Sequence, residues 1–426
     1  MSNIYLGKAP PLWVVLPFYA TGALFFLVLT ILLFLAAHDL TGHYFSPHLL
    51  AIVHTAALGW GTMIIFGAAY ELLPVLCEND LYSTRLAFAS YAFLSTGIAH
   101  LIPAFWWFKA GTLMITGGTL VFLATLCYVI NVLFTATDSK QNSLHQQFLI
   151  SSALWLLVTV TLGLCLAINL RYPFMSRNHL DIMKLHAHVG LAGWFLQLIT
   201  GVSVKLVPMF LVSKSGKIRW VRAAWILQNA GLILFLVDGH INNSAGRDMV
   251  YGLICGIGIA CWLYFLDDVR KNRVRKNVDL PMKHTLISFG FLVAALIVMP
   301  VAHYSPQTKW TLVYGVFLFL GWLTSILLGQ TFKTLPFIIW NEHYKQLTGR
   351  AAVPLPGDLY SSKILKCQFY LYLAALFFLV AGMALNVPVL LQGALILWIL
   401  LALLYVLNVT KILLHKPTNS HEFTAR

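Results

Sequence analysis

Long apolar runs alternate with short polar breaks along the whole chain. Twelve runs of about 20 residues begin near positions 11, 49, 86, 111, 149, 185, 220, 249, 285, 311, 365 and 388. That is the length a helix needs to cross a hydrocarbon core of about 30 Å. The pattern predicts twelve transmembrane helices and no strands. The longest break, 341–364, contains AAVPLPGDLY and reads as a turn-rich connection. No break is long enough for a soluble domain, so 1–426 is expected to form a single membrane domain. The first run has no small-residue cleavage site after it and is expected to stay in the bundle.

One of these helices is written three times. The stretches HTAALGWGTMIIFGAAYELLPVL from His54, HVGLAGWFLQLITGVSVKLVPMF from His188 and VFLFLGWLTSILLGQTFKTLPFI from Val316 align without a gap. Four columns are identical: Gly59/Gly193/Gly321, Trp60/Trp194/Trp322, Gly67/Gly201/Gly329 and Pro74/Pro208/Pro336. A fifth column is always charged, with Glu71, Lys205 and Lys333. The copies lie 134 and 128 residues apart, four spans each time. The chain therefore reads as three pseudo-symmetric four-helix units, approximately 11–136, 145–270 and 285–410, with the marked helix second in each. The glycines are expected to let helices approach closely. The prolines are expected to end the marked helices. Glu71 is expected in the layer of Lys205 and Lys333, where a carboxylate and an ammonium can pair. The marked helices are expected to run without a mid-span break.

Composition sharpens this picture. The chain is 59% hydrophobic and 10% charged, which excludes a soluble protein of this size. Of 28 lysines and arginines, 20 fall in the termini and loops on one side, among them Lys8, Lys140, Arg426 and the run RKNRVRK at 270–276. Six fall on the other. The positive-inside rule then predicts both termini in the cytoplasm, and it accounts for the basic run without nucleic acid. A bacterial inner membrane is the expected location, with the lipid bilayer as the first partner. The six cysteines are scattered with no CxxC, so neither a c-type haem nor a zinc knuckle is indicated.

Fifteen histidines are many for so apolar a chain. Ten are expected towards the outer face: His38, His43, His48, His54, His100, His179, His186, His188, His240 and His303. Neutral imidazole is a common ligand of haem iron and of copper. His54 and His188 share one column of the repeat, five residues before the Gly-Trp pair, and are the first candidates for ligation. His186 lies two residues from His188, about 200° around the helix, and is expected to serve a different site. The plain alternative is an interfacial imidazole bonded to a loop carbonyl.

These features together resemble the catalytic subunit (subunit I) of the haem-copper oxidases, the superfamily of cytochrome c oxidases and nitric oxide reductases. The stretch HLLAIVHTAALGWGTMIIFGAAYELLPV is most similar to helix 2 of the cbb3-type and nitric-oxide-reductase branch. The resemblance implies a haem on His54 and copper on His186 or His188; the histidines at hand are expected to hold haem b through His54 and His188, or copper through His186 or His188 with His240. It also marks departures. Helix 7 ends LFLVDGHINN with His240 alone, and helix 10 has Tyr314 and Val316 where that family carries histidines. The implied chemistry is thus a reduced metal complement serving electron transport or nitric oxide and oxygen chemistry or response. If the chain is catalytic, it is an oxidoreductase of that type; proton-pumping oxygen reduction is not expected. Other respiratory or redox membrane subunits are the implied partners. A membrane transporter or permease, or a metal-free assembly subunit on the same fold, is the alternative.

Overall fold

The computed structural model describes residues 10–137, 143–242, 245–350 and 352–417. Lys8, Lys140, Arg426 and His421 lie outside the described residues. Within them the chain is helical, with no strand. Twelve helices are long and apolar enough to cross a membrane: α1 (Leu12–Leu35), α2 (Pro47–Cys77), α3 (Thr84–Trp106), α4 (Thr112–Thr137), α5 (Leu144–Arg171), α6 (His179–Leu211), α7 (Ile218–Ile241), α8 (Gly246–Lys271), α9 (Leu280–Tyr304), α10 (Lys309–Leu347), α11 (Ser362–Leu385) and α12 (Pro388–Leu413). This is the architecture of an integral membrane protein. Side-chain oxygens start several helices by capping a backbone N–H: Ser46 before α2, Ser83 before α3, Asn178 before α6, Asp279 before α9 and Ser361 before α11.

The helices group into two compact units. One spans Leu72–Val278 and holds α3 to α8. The other combines Pro10–Glu71 with Asp279–Arg426, and so holds α1, most of α2 and α9 to α12. Within these units the repeat reappears as geometry. In each marked helix the α ladder gives way to a π turn that begins four residues before the glycine of the Gly-Trp pair: Thr55–Thr62, Val189–Leu196 and Phe317–Leu323. Each marked helix runs through without a break, as expected. The chain stays helical, but its bonding shifts register, and a π turn frees carbonyls that need other donors. In α10 the Tyr372 hydroxyl supplies one, donating to Leu320 O at 3.1 Å and Gly321 O at 2.8 Å.

The two glycine columns are covered the same way in every copy. A Cβ on Gly67, Gly201 or Gly329 would strike Phe18, Phe148 or His284 of the preceding helix. A Cβ on Gly59, Gly193 or Gly321 would strike Phe25, Trp155 or Phe291, seven residues further along that helix. Residues seven apart lie on one helix face, so an aromatic stripe two turns long rests in a glycine groove.

The tryptophan column is uniform in burial and not in bonding. Trp60, Trp194 and Trp322 are each 1% exposed. Such rings bury the largest apolar area available to one side chain. Trp60 stacks on Phe26 at 4.5 Å and donates to Thr324 Oγ1 at 3.2 Å, while Trp194 meets Tyr128 edge-on at 5.5 Å. Trp322 departs from the symmetry that its identical column implies. Its Nε1 is buried and has no hydrogen-bond partner among the described residues. Trp322 repeats the packing role and not the polar contact of Trp60. The reason is physical, since the acceptor for an indole N–H comes from a different helix and is not part of the repeated column.

The third and fourth helices of each repeat share a clamp. Asn131 of α4 accepts from Ser83 N (2.9 Å) and donates to Ser83 O (3.1 Å) at the start of α3. Asn408 of α12 does the same at Ser361, with 2.8 and 3.3 Å. In the second repeat Asp268 of α8 accepts from Ser215 Oγ at 2.6 Å and pairs with Lys217 at 3.2 Å.

Proline does not end all three marked helices. Pro74 and Pro208 stand three residues from their ends, as expected, but α10 runs on eleven residues past Pro336. The extension is held by its packing: Ile338, Ile339 and Tyr344 are buried, and Trp340 Nε1 donates to Pro354 O at 2.6 Å. Tyr344 OH also meets His415 Nε2 at 2.8 Å. Burial, with His343 and Lys411 nearby, pulls the His415 imidazole below its ordinary range. These contacts offset the one backbone bond that proline removes.

Candidate functional site

His54 and His188 hold equivalent places. Each is the last α-helical residue before its π turn, and each is half-buried. His54 Nδ1 lies 2.7 Å from Leu50 O, and His188 Nδ1 lies 2.9 Å from Lys184 O. A carbonyl can only accept, so Nδ1 carries the proton and the lone pair is on Nε2. That tautomer, fixed by a backbone carbonyl, is the one a metal-ligating histidine uses. His100 makes the same bond to Thr96 O at 2.8 Å, so the bond alone does not mark a ligand. The shared repeat column and the adjoining π turn single out His54 and His188. His54 belongs to the unit of α1 and α9–α12 and His188 to that of α3–α8. In the third copy Val316 takes the place and is 8% exposed.

His186 and His188 leave α6 on different sides, as their spacing requires. His186 Nδ1 donates to Thr159 O of α5 at 2.9 Å, and its ring occupies the space that a Cβ on Gly163 would fill. His188 faces Phe235 of α7, with ring centroids 5.5 Å apart. His240 is exposed near the end of α7, two residues after Asp238, which pairs with Arg247 at 3.0 Å. Among the described residues no three His, Cys, Asp or Glu side chains are grouped to hold a metal ion.

The charged column resolves into separate pairs. Lys333 pairs with Asp279, the N-cap of α9, and Lys205 approaches Glu78 at 4.0 Å. Glu71 is buried at 9% exposure. The lysines thus take acids from helix ends and loops, where a carboxylate also complements a helix N-terminus in the case of Asp279.

One histidine of note was not singled out by the sequence. His284 of α9 is fully buried, in the column held by Phe18 and Phe148 in the other copies. Phe369 and Tyr372 of α11 pack on its ring at 4.9 and 5.4 Å, and Nδ1 is 3.5 Å from Ser325 Oγ. Its Nε2 has no hydrogen-bond partner among the described residues. The seven-residue spacing to Phe291, matching Phe18 to Phe25 and Phe148 to Trp155, was the legible signal. No protein-family profile matches the chain, and no curated protein is significantly similar to it.

Proposed function

We propose that this chain is a haem-copper oxidase subunit I-like membrane protein with a reduced metal complement, working in electron transfer or in nitric oxide and oxygen chemistry or response. One observation carries the reading. Two half-buried imidazoles at the same repeat position, each just before a π turn, present the Nε2 lone pair with Nδ1–H bonded to a backbone carbonyl. The donors suit haem b better than copper. A haem can be held by a single such imidazole. A copper site needs several donors together, and the exposed His240 and the packed His186 are not joined by a third. His54 or His188, each within its own unit, would hold a haem, which would supply a one-electron couple and, with a single imidazole on the iron, a site for a diatomic ligand. The protein's own part is to fix both ring tautomers and to surround them with apolar helices that exclude water. The location that goes with this reading is a bacterial inner membrane with cytoplasmic termini, beside other redox subunits.

The test is the optical spectrum of the full-length protein purified from membranes. A Soret band that shifts on reduction, and that weakens in His54→Ala or in His188→Ala, is the expected result. Colourless protein without copper would overturn the reading in favour of transport or scaffolding. Transport is the second reading because the π turns interrupt the α ladder at one repeated place, as a helix lining a path across a membrane can.

A further inference from the structure

We infer that the α3–α8 unit contains a mid-span binding site for a small uncharged molecule that both donates and accepts hydrogen bonds, water being the simplest, formed by Gln197 and Thr200 of α6 and Gln228 of α7. It is separate from the histidines. Gln197 lies nine residues further along α6 than His188, near the middle of the span.

The first support is a chain of forced orientations. An indole N–H can only donate, so Trp155 Nε1, 2.9 Å from Asn229 Oδ1, fixes which end of that amide is oxygen. Asn229 Nδ2 must then donate, and it does, to Trp225 O at 2.9 Å and to Gln197 Oε1 at 3.2 Å. Ser151 Oγ also donates to Gln197 Oε1, and it accepts from Trp225 Nε1 at 3.3 Å. With its oxygen saturated, Gln197 aims its NH2 elsewhere, and that group has no partner among the described residues. The side chain is fully buried.

The second support is that two more fully buried side chains are in the same state. Thr200 Oγ1 is unpartnered, although threonines in these helices commonly bond the carbonyl four residues back, as Thr55 and Thr159 do. For Thr200 that carbonyl belongs to Leu196, the last residue of the π turn. Gln228 leaves both Oε1 and Nε2 unpartnered. Gly258 of α8 makes room for it, because a Cβ there would lie 3.0 Å from Gln228 Cγ.

The third support is register. Trp262 of α8 donates to Ser203 of α6 at 2.9 Å, which sets those two residues at one level. α6 and α8 run in the same direction, being two spans apart. One turn back along each lie Thr200 and Gly258, and Gln228 rests on Gly258. Gln197 is one turn further along the Thr200 face. The unpartnered atoms thus share a thin layer. They comprise two amide donors, one amide acceptor and a hydroxyl that can do either. None of the residues that form or support the layer is charged, which disfavours an ion in so apolar a setting. The other copies carry Met63 and Ser325 in the Gln197 column, and Phe66 and Leu328 in the Thr200 column, so the site belongs to the second repeat alone.

X-ray radiolytic footprinting of the full-length protein in nanodiscs tests this, because bound water delivers hydroxyl radicals to side chains that bulk solvent does not reach. Trp225 and Trp262, which border the layer, are expected to be modified several-fold faster than the buried Trp60. That excess should disappear in Gln228→Leu and in Thr200→Val. Equal rates at Trp60, Trp225 and Trp262 in the unaltered protein would overturn the inference. Thermal unfolding gives an independent reading. A dry layer predicts a higher Tm when either polar group is removed, which would also overturn it; an unchanged or lower Tm supports it.

Discussion

α6 and α10 have the same frame and use it differently. Both carry a π turn before the Gly-Trp pair and both press two glycines onto an aromatic stripe. In α6 the residue entering the π turn is His188, half-buried, and the polar groups continue inward through Gln197 and Thr200. In α10 the same places hold Val316, Ser325 and Leu328. There the polar chemistry has moved onto the helix opposite, where His284 fills the aromatic column against Gly329. The difference shows that the repeat conserves backbone geometry, while a few side chains decide where a polar or ligating group stands.

The largest expected effect tests the shared frame. Gly329→Ala would drive a Cβ into the Pro281 carbonyl and the His284 Cβ, both close to rigid backbone. Overpacking of this kind costs about 1–3 kcal/mol or more, so a fall in Tm of several degrees in detergent is expected. Gly315→Ala, in the same helix with nothing within 4 Å of the new Cβ, should be neutral or gain about 0.5–1 kcal/mol. Similar Tm values for the two variants would show that close approach at the glycine column is not what holds the helices.

Next comes the hairpin clamp. Asn408→Ala strips Ser361 of two backbone partners, and Asn131→Ala does the same to Ser83. A cost of about 1–3 kcal/mol is expected for each by thermal unfolding. Asp268→Asn keeps an acceptor for Ser215 and loses only a half-exposed ion pair with Lys217, so its cost should be under about 1 kcal/mol.

A further modest effect, of opposite sign, separates α6 from α10 directly. His284→Phe restores the residue type of the equivalent positions 18 and 148 and removes an unpartnered Nε2. A gain of about 1 kcal/mol is expected in the unfolding curve. A marked loss of stability instead would mean that the ring nitrogen holds something the aromatic ring cannot.

The sequence by itself determined the helix count, the repeat and the candidate imidazoles, for a simple reason. Apolar length and recurring small residues are one-dimensional properties, set by the bilayer thickness and by the need for close helix contact. His54 and His188 were legible because they share a column. Only the tertiary structure decided the rest. The π turns share only the Gly-Trp pair among copies, and nothing in that pattern separates a shift from i+4 to i+5 bonding. Pro336 reads as a stop until Ile338, Ile339 and Tyr344 are seen to be buried beyond it. Trp322 reads as the twin of Trp60 until the indole nitrogens are compared, one bonded to Thr324 and the other unpartnered. His284 reads as an end-of-helix polar residue, and Gln197, Thr200 and Gln228 as isolated polar positions. Their significance lies in which atoms lack partners, and hydrogen-bond pairing is settled by side chains from neighbouring helices, not by the order of residues along one.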